Sequence, residues 1–482
     1  MRTVPTTIAF VLAGGLALSE AAGAVPVEPE LVGVVTPEFD PSVPCLTAGE
    51  EEAILARLAA RKAELAARGV LLSPDAASAP LEFGWPLRLH PVIDDPGYHC
   101  VRNYRDHDPT PGFRLDWHCG QRTYDSHHGI DYFIWPFAWL RMEQDQVEVV
   151  AAAAGQIIAK VDGNDDHNCV MDGSPWNAVY IQHADGGQAW YGHLKNGSTT
   201  TKPEGAMVAR GERLGIVGSS GSSTGPHLHF QVFDGNSQLV DPYSGSCNFE
   251  PTWWLDQRPY DDSAVNAIRT HDTPAVFPGC PGTEIPNERN AFLPGSTIYF
   301  AAYYRDQLSG QVGQYRVYDA AGVPVFQWSH SSPQPYYAAA LWYWRIDAPQ
   351  SGAAFGTWRF EVTFEGVTTT HHFWVGSLVD APDEFVSITR PRIAVLGANP
   401  RSAAAGPVDF IADLPSSGVG RLTVVDVRGR TMASFGDVWR PAGRHVFRWE
   451  ASGAPAGVYF ARWMTPGPSG AEPVTAKAVL TP

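Results

Sequence analysis

Basic charge is scarce in this sequence of 482 residues, and cysteine is never clustered. Lys and Arg together number 34 against 51 Asp and Glu, so the formal net charge is -17. This acidity argues against nucleic acid or an anionic membrane surface as a partner. None of the six cysteines forms a CxxC pair, which weighs against a cysteine zinc site and against a redox motif.

Long apolar runs are also missing, except for a short one near the first residue. Arg2 precedes an apolar run from Ile8 to Leu18, and the small residues Ala22-Gly23-Ala24 follow it. This pattern predicts a cleaved secretory signal at residues 1–24. The run is too short to span a bilayer comfortably. We therefore expect a protein that is secreted, periplasmic or at the cell surface, without a stable membrane span.

The cysteines occur in an even number, which is typical of exported proteins that form disulfides. Cys100 and Cys119 flank one short, loop-like segment. We therefore expect these two to be bridged. The sequence leaves the pairing of the other four open.

One helix is predicted near the N-terminus, within a linker region at residues 25–79. Thr47 and Glu50 are spaced as a capping box, and Gly69 provides an end, so the helix should cover about residues 48 to 68. Four apolar residues share one face of it: Ile54, Leu55, Leu58 and Leu65. We interpret this helix as a packing or pro-segment element.

The remainder of the chain alternates short strands with turns. Residues 80–260 are rich in Gly and Trp and hold eleven of the 16 histidines, so the chemistry is expected there. Alternating aromatics at 285–380 predict an immunoglobulin-like β-sandwich, and residues 391–482 are again all β. The predicted fold class is mainly β: an antiparallel β domain with an N-terminal helix, followed by two β-sandwich domains.

Three motifs in residues 80–260 place imidazoles and a carboxylate at useful spacings. In "STGPHLHF", His227 and His229 are two apart on a predicted strand and so share a face. "SHHGID" sets His127 four residues before Asp131, and "WYGHL" supplies His193. Two imidazoles and one carboxylate are the usual ligands of a catalytic zinc, which keeps a fourth position for water.

In this order, HxxxD, YGHL and STGPHLHF resemble the lysostaphin-type, LytM-like zinc endopeptidases, which cleave peptide cross-bridges in bacterial peptidoglycan. The resemblance covers about residues 80 to 260. It implies a Zn²⁺ ion with three protein ligands: His127, Asp131 and His229. It also implies two catalytic imidazoles near the metal: His193 and His227.

Some neighbouring residues are ambiguous. His128 is the variable position beside His127, and we interpret it as having no role in the site; ligation by His128 in place of His127 is the alternative. Tyr124 is close to the motif, but its spacing is not a secure match to the tyrosine that some family members use. The run Trp135 to Trp139 departs from the shortest members, and its aromatics either pack in the core or line a substrate groove.

The last segment resembles the small immunoglobulin-like modules at the ends of secreted bacterial proteins, including C-terminal sorting domains. The residues that carry this resemblance are "VVDVRGR", "AGRHVFRW" and "AGVYFARW". A plain accessory sandwich is the alternative.

The resemblance implies an exported zinc endopeptidase that hydrolyses peptide cross-links of peptidoglycan, with stem or cross-bridge peptides as its partners. One alternative is a secreted zinc protease of the same fold that cuts Gly-rich proteins. The other is a non-catalytic wall-binding protein. All five key positions are filled, which favours an enzyme.

Overall fold

The computed structural model describes residues 30–35, 44–74, 81–91, 93–382, 391–414, 418–440, 443–465 and 473–482. The predicted signal at 1–24 lies outside them. The described residues form 28 strands and only two α-helices, so the predicted mainly β fold class is confirmed. No helix among them combines the length and apolarity needed to cross a membrane.

Two elements precede the sheets that form the bulk of the molecule. Strand β1 (Glu30–Val35) pairs with a strand far along the chain, and helix α1 (Ala48–Ala67) follows. The helix begins as predicted, because the Thr47 hydroxyl accepts from the Glu50 N–H and the Glu50 carboxylate accepts from the Thr47 N–H. Its buried face packs against the next domain through three residues: Ile54, Leu58 and Leu65.

The domain that holds the predicted site is antiparallel. Its elements are β2 (Leu87–Leu89), β3 (His99–Asn103), β4 (Ile130–Ile134), α2 (Ala138–Glu143), β5 (Val147–Val150), β6 (Gly155–Val161), β7 (Ala178–Gln182), β8 (Gln188–Gly192), β9 (Met207–Val208), β10 (Arg213–Ile216), β11 (His227–Phe233) and β12 (Leu239–Val240). The large sheet has the order β3-β4-β11-β8-β7-β6-β9, with β12 beside β11. A smaller sheet has the order β10-β5-β2, and its buried residues share one apolar core with those of the large sheet. The site is built at the centre of the large sheet, where β4, β11 and β8 are neighbours.

The next region forms two sheets around one apolar core. Its strands are β13 (Ala264–His271), β14 (Ala291–Phe292), β15 (Thr297–Leu308), β16 (Val312–Tyr318), β17 (Pro324–Ser331), β18 (Tyr336–Asp347), β19 (Gly356–Phe364) and β20 (Val367–Val375). One sheet has the order β1-β18-β15-β13 and the other β14-β20-β19-β16-β17. Residues from both contribute to the shared core, as in a β-sandwich.

The C-terminal region repeats this layered design. Its elements are β21 (Arg392–Leu396), β22 (Arg401–Ser402), a 3₁₀ turn (Ala403–Ala405), β23 (Val408–Leu414), β24 (Gly418–Asp426), β25 (Thr431–Arg440), β26 (Gly443–Trp449), β27 (Gly457–Met464) and β28 (Val474–Thr481). The sheets β21-β23-β26 and β22-β28-β27-β24-β25 share a separate core. The domain boundaries, the immunoglobulin-like topology and a sorting role stay predictions.

The predicted Cys100–Cys119 bridge is wrong. Cys119 pairs with Cys247. A second bridge joins Cys169 to Cys280. Cys100 is on β3 and points into an apolar cluster shared with the sandwich, so it cannot reach the surface loop that carries Cys119. Nearness in sequence misled the prediction because strand β3 turns its cysteine inward. Among the described residues, Cys45 and Cys100 are the free thiols, and both are buried.

The aromatic run after β4 packs in the core. Trp135 and Phe137 are 3 % and 5 % exposed and belong to a cluster with Tyr303 of the sandwich. The Phe137 ring stacks on Phe277 with centroids 5.4 Å apart. These side chains join two domains, which favours the packing interpretation over a substrate groove.

Candidate metal centre

The register of three strands brings the predicted residues together. On β11, His229 lies opposite Asp131 of β4 and, on its other side, opposite Gly192 at the end of β8. His193 follows directly after β8. His227 lies two residues before His229, so it faces the same side of the sheet, as the sequence predicts.

The candidate ligand group consists of His127, Asp131 and His229. Its donor atoms all lie within 4.8 Å of one another, and the three residues are buried. Nε2 of His127 is 3.2 Å from Oδ1 of Asp131, and that oxygen is 3.0 Å from Nδ1 of His229. The two nitrogens are 3.3 Å apart. Tetrahedral ligands at zinc–nitrogen distances are about 3.3 Å from each other, so the three separations fit one ion.

Both imidazoles of the ligand group are fixed by their other ring nitrogen. Nδ1 of His127 donates to the carbonyl of Tyr104 at 2.7 Å. Nε2 of His229 donates to Oε1 of Gln231 at 3.1 Å. Each bond selects the tautomer whose remaining nitrogen has a lone pair directed at the group. Such partners orient metal-binding histidines and raise their basicity.

Asp131 is held as a carboxylate. Burial raises its pKa, but the imidazoles of His127, His229 and His227 outweigh burial and hold the pKa well below the ordinary value. Its second oxygen, Oδ2, accepts a hydrogen bond from the Asn103 side chain at 2.9 Å. The charge of the group is thus available to a cation without a competing proton.

The histidine pair, His193 and His227, borders the ligand group, with ring centroids 4.3 Å apart. Nδ1 of His193 donates to the carbonyl of Ser220 at 2.6 Å, and Nδ1 of His227 donates to that of Gly225 at 2.8 Å. Their Nε2 atoms therefore carry lone pairs. Nε2 of His227 is 3.8 Å from Oδ1 of Asp131. Within the described part of the chain, the buried Nε2 of His193 has no hydrogen-bond partner.

Both members of the histidine pair are held neutral. Burial lowers the pKa of His193, and the neighbouring imidazoles of His227 and His229 lower it further. Burial also lowers the pKa of His227, although Asp131 opposes the effect. Neutral imidazoles with free lone pairs can accept protons.

Two glycines in the motifs allow this crowding. A Cβ on Gly129 would lie 2.5 Å from ring atoms of His229, and one on Gly192 would lie 2.3 Å from the ring of Trp176. The Trp176 ring in turn meets His193 edge-on, with centroids 5.2 Å apart. Each glycine thus sets the distance between the backbone and a ring beside the site.

Sequence reasoning missed a cysteine at the site. Sγ of Cys45 lies 3.3 Å from Nδ1 of His229. The Cys45 N–H donates to the hydroxyl of Tyr124 at 3.4 Å, and the Tyr124 ring stacks on His127 with centroids 4.2 Å apart. Tyr124 therefore contacts the site despite its insecure spacing. No motif surrounds Cys45; the one available signal was that its disulfide partner was undefined.

Helix α1 is linked to the same site through Glu51. Its Oε2 accepts from Nδ1 of His128 at 2.6 Å and from Nε2 of Gln231 at 3.0 Å. His128 is therefore directed toward the helix and away from the ligand group. Because Gln231 also holds His229, one carboxylate on α1 is two hydrogen bonds from a candidate ligand.

Comparison with known proteins assigns the domain. Residues 126–242 match the family model "Peptidase family M23". The chain contains an M23 peptidase domain. The match begins one residue before His127 and ends after β11, so all five predicted site residues lie in the M23 domain.

Two curated relatives align with part of the chain. The "DD-carboxypeptidase/endopeptidase Mpg" of Neisseria meningitidis serogroup B is 37% identical over 133 residues, which are 28% of this chain and 25% of the relative. The "Peptidoglycan DD-endopeptidase ShyA" of Vibrio cholerae is 41% identical over 56 residues, 12% of each chain. The chain thus matches a quarter or less of the length of these relatives.

Among solved structures, the catalytic domain of lysostaphin from Staphylococcus simulans aligns at 26% identity. The alignment covers 29% of this chain and 89% of that domain, with a TM-score of 0.19.

Proposed function

We propose that the chain is an exported, zinc-dependent endopeptidase that hydrolyses peptide cross-links of bacterial peptidoglycan. The observation that carries the proposal is the ligand group, in which a buried carboxylate and two oriented imidazoles converge at tetrahedral spacing. The names of the two curated relatives, an endopeptidase and a peptidoglycan endopeptidase, support the substrate class.

The donor set suits zinc. His127, Asp131 and His229 would hold the ion, because imidazole nitrogen and carboxylate oxygen are its common ligands in catalytic sites. When bound, zinc supplies Lewis-acid activation of a water molecule and of the scissile carbonyl. Tyr104, Gln231 and Asn103 keep the three side chains in place for it.

The histidine pair would handle the protons. A neutral Nε2 of one member takes the proton of the attacking water and later gives it to the leaving amine. The negative charge that develops on the carbonyl oxygen favours uptake of a solvent proton by Nε2 of the other member, which then donates a hydrogen bond to that oxygen. Their Nδ1 atoms stay bound to backbone carbonyls, so each ring keeps its orientation through the cycle.

The test combines metal analysis with fragment analysis. Zinc per chain is measured by atomic spectroscopy. Purified sacculi are digested with the full chain, with Cys45→Ala, which lacks the thiol beside His229, and with His193→Ala as the inactive control. The proposal expects one zinc per chain and released peptides with new amino ends at cross-links, identified by mass spectrometry. Cleavage of a Gly-rich protein with intact sacculi would favour the secreted-protease alternative. Binding to sacculi without cleavage by any form would favour the wall-binding one.

A further inference from the structure

The residues just before α1 bring a thiol to the ligand group. Cys45 is 5 % exposed, and its sulfur lies 3.3 Å from Nδ1 of His229. Cys45, His193 and His229 form a second set of metal-ligating residues whose donor atoms lie within 4.8 Å of one another. The two sets share His229. The thiol is therefore on the side of the ligand group that faces the histidine pair.

A second observation points to the same space. Nε2 of His193 is fully buried and, among the described residues, has no hydrogen-bond partner. A buried nitrogen without a partner costs free energy, and such atoms in native structures call for an explanation. A group bound between His193 and the ligand group, on the side where the sulfur lies, would give this nitrogen a partner.

The helix that follows fixes the thiol in this position. Glu51 binds the Gln231 side chain, and Arg57 donates to the hydroxyl of Tyr180 at 3.1 Å. The buried face of α1 belongs to a cluster with Trp176 and Trp190 of the M23 domain. The segment is thus docked by apolar packing as well as by polar bonds close to the site.

The same segment covers the space beside the site. A cavity of about 210 Å³ lies between α1 and the loop before β7. Cys45, Ile54 and Arg57 line one side of it, and Pro175 and Trp176 line the other. Trp176 also contacts His193, so this cavity is next to the histidine pair.

We infer that Cys45 is a fourth ligand of the metal and that the N-terminal segment, residues 44–67, thereby keeps the site closed. This inference rests on the proposed function. Thiolate sulfur is a preferred zinc ligand, and a zinc site with four protein ligands has no open position, whereas three ligands leave one for water. When the metal–sulfur bond breaks, the sulfur takes up a proton and a water molecule enters the vacated position.

A second buried free thiol, away from the site, controls for the effect of removing a buried sulfur atom. Cys100 is also free and buried, at 1 % exposed, but it lies in the cluster between the M23 domain and the sandwich. Cys45→Ala and Cys100→Ala remove the same sulfur atom from a buried position. Only the first removes it from the site.

The experiment uses the full chain loaded with Co²⁺, whose absorption spectrum reports sulfur ligation. We expect a sulfur-to-cobalt charge-transfer band in the unmodified chain and in Cys100→Ala, and its loss in Cys45→Ala. Competition with a chelator should show weaker cobalt binding by Cys45→Ala alone. Zinc-loaded Cys45→Ala should release peptides from sacculi about 10- to 1,000-fold faster, as expected if the open form is a minor state of about 0.1–10 %.

Absence of the band from the unmodified chain, or its persistence in Cys45→Ala, would overturn the ligation. A lost band with an unchanged hydrolysis rate would overturn the closure. A band that behaves as expected, in a chain whose variants never cleave sacculi, would leave Cys45 as a ligand and contradict the proposed substrate instead.

Discussion

The histidines of the ligand group and those of the histidine pair are alike in one ring nitrogen, which donates to an oxygen, and differ in what surrounds the other ring nitrogen. All four imidazoles are fixed by an oxygen acceptor on one ring nitrogen. In the ligand group the other nitrogens meet Asp131 and each other at 3.0 to 3.3 Å. In the pair, Nε2 of His193 meets no partner among the described residues. All four residues are histidines, so the surroundings of this second nitrogen distinguish the proposed metal ligands from the proposed proton-transfer groups.

The largest effect is expected from the histidine pair. His193→Ala and His227→Ala should each lower the hydrolysis rate about 100- to 10,000-fold, the usual loss for a proton-transfer group. Zinc content should be unchanged because the three ligands stay in place. The rates are compared in a Cys45→Ala background, so that a closed site does not mask the loss. Loss of zinc from either variant would contradict the distinction between the ligand group and the histidine pair.

A smaller effect is expected from the residue that orients His229. Gln231→Ala should weaken zinc binding about 10- to 100-fold, because outer partners of metal-binding histidines typically contribute that much. Gln188→Ala is the matched control. Gln188 is also buried, at 2 % exposure, but it begins β8, whereas the site lies beside the last residue of that strand, Gly192. Chelator competition measures both affinities. Equal zinc affinity in the two variants would mean that Gln231 does not support the ligand group.

The smallest effects concern the two glycines. The added Cβ of Gly129→Ala would clash with the His229 ring, so this variant should bind zinc more weakly. The added Cβ of Gly192→Ala would clash with the Trp176 ring, so this variant should hydrolyse more slowly but retain zinc. Each should also cost about 1–3 kcal/mol of unfolding free energy through overpacking. Gly49→Ala is the control, because a Cβ there meets nothing within 4 Å. Denaturant unfolding and zinc titration check these outcomes, and a control as destabilised as the other two would contradict the steric account.

Much of this comparison could be predicted from the sequence because it depends on local spacing. The period of a strand puts His227 and His229 on one face, and the capping box at Thr47 defines the start of α1. Both features involve residues a few positions apart, and the structure agrees with both.

Contacts between distant segments could not be predicted in this way. The Cys119–Cys247 bridge spans 128 residues, and Cys45 reaches His229 across 184. Neither pair carries a local pattern, because the fold alone makes them neighbours. Gln231 and Asn103 belong to the same class. Each is an ordinary polar residue until β11 and β3 place its side chain against a ligand.

The most direct test of the metal site compares the two histidines of one strand. Both variants are made in a Cys45→Ala background, which removes the inferred fourth ligand. We predict that purified His229→Ala contains no zinc, since removing one of the three remaining protein ligands leaves a two-ligand site. His227→Ala should contain one zinc per chain and be inactive on sacculi. Atomic spectroscopy of the two variants, beside the unmodified chain, gives the answer. A metal-free His227→Ala together with a zinc-loaded His229→Ala would contradict the account.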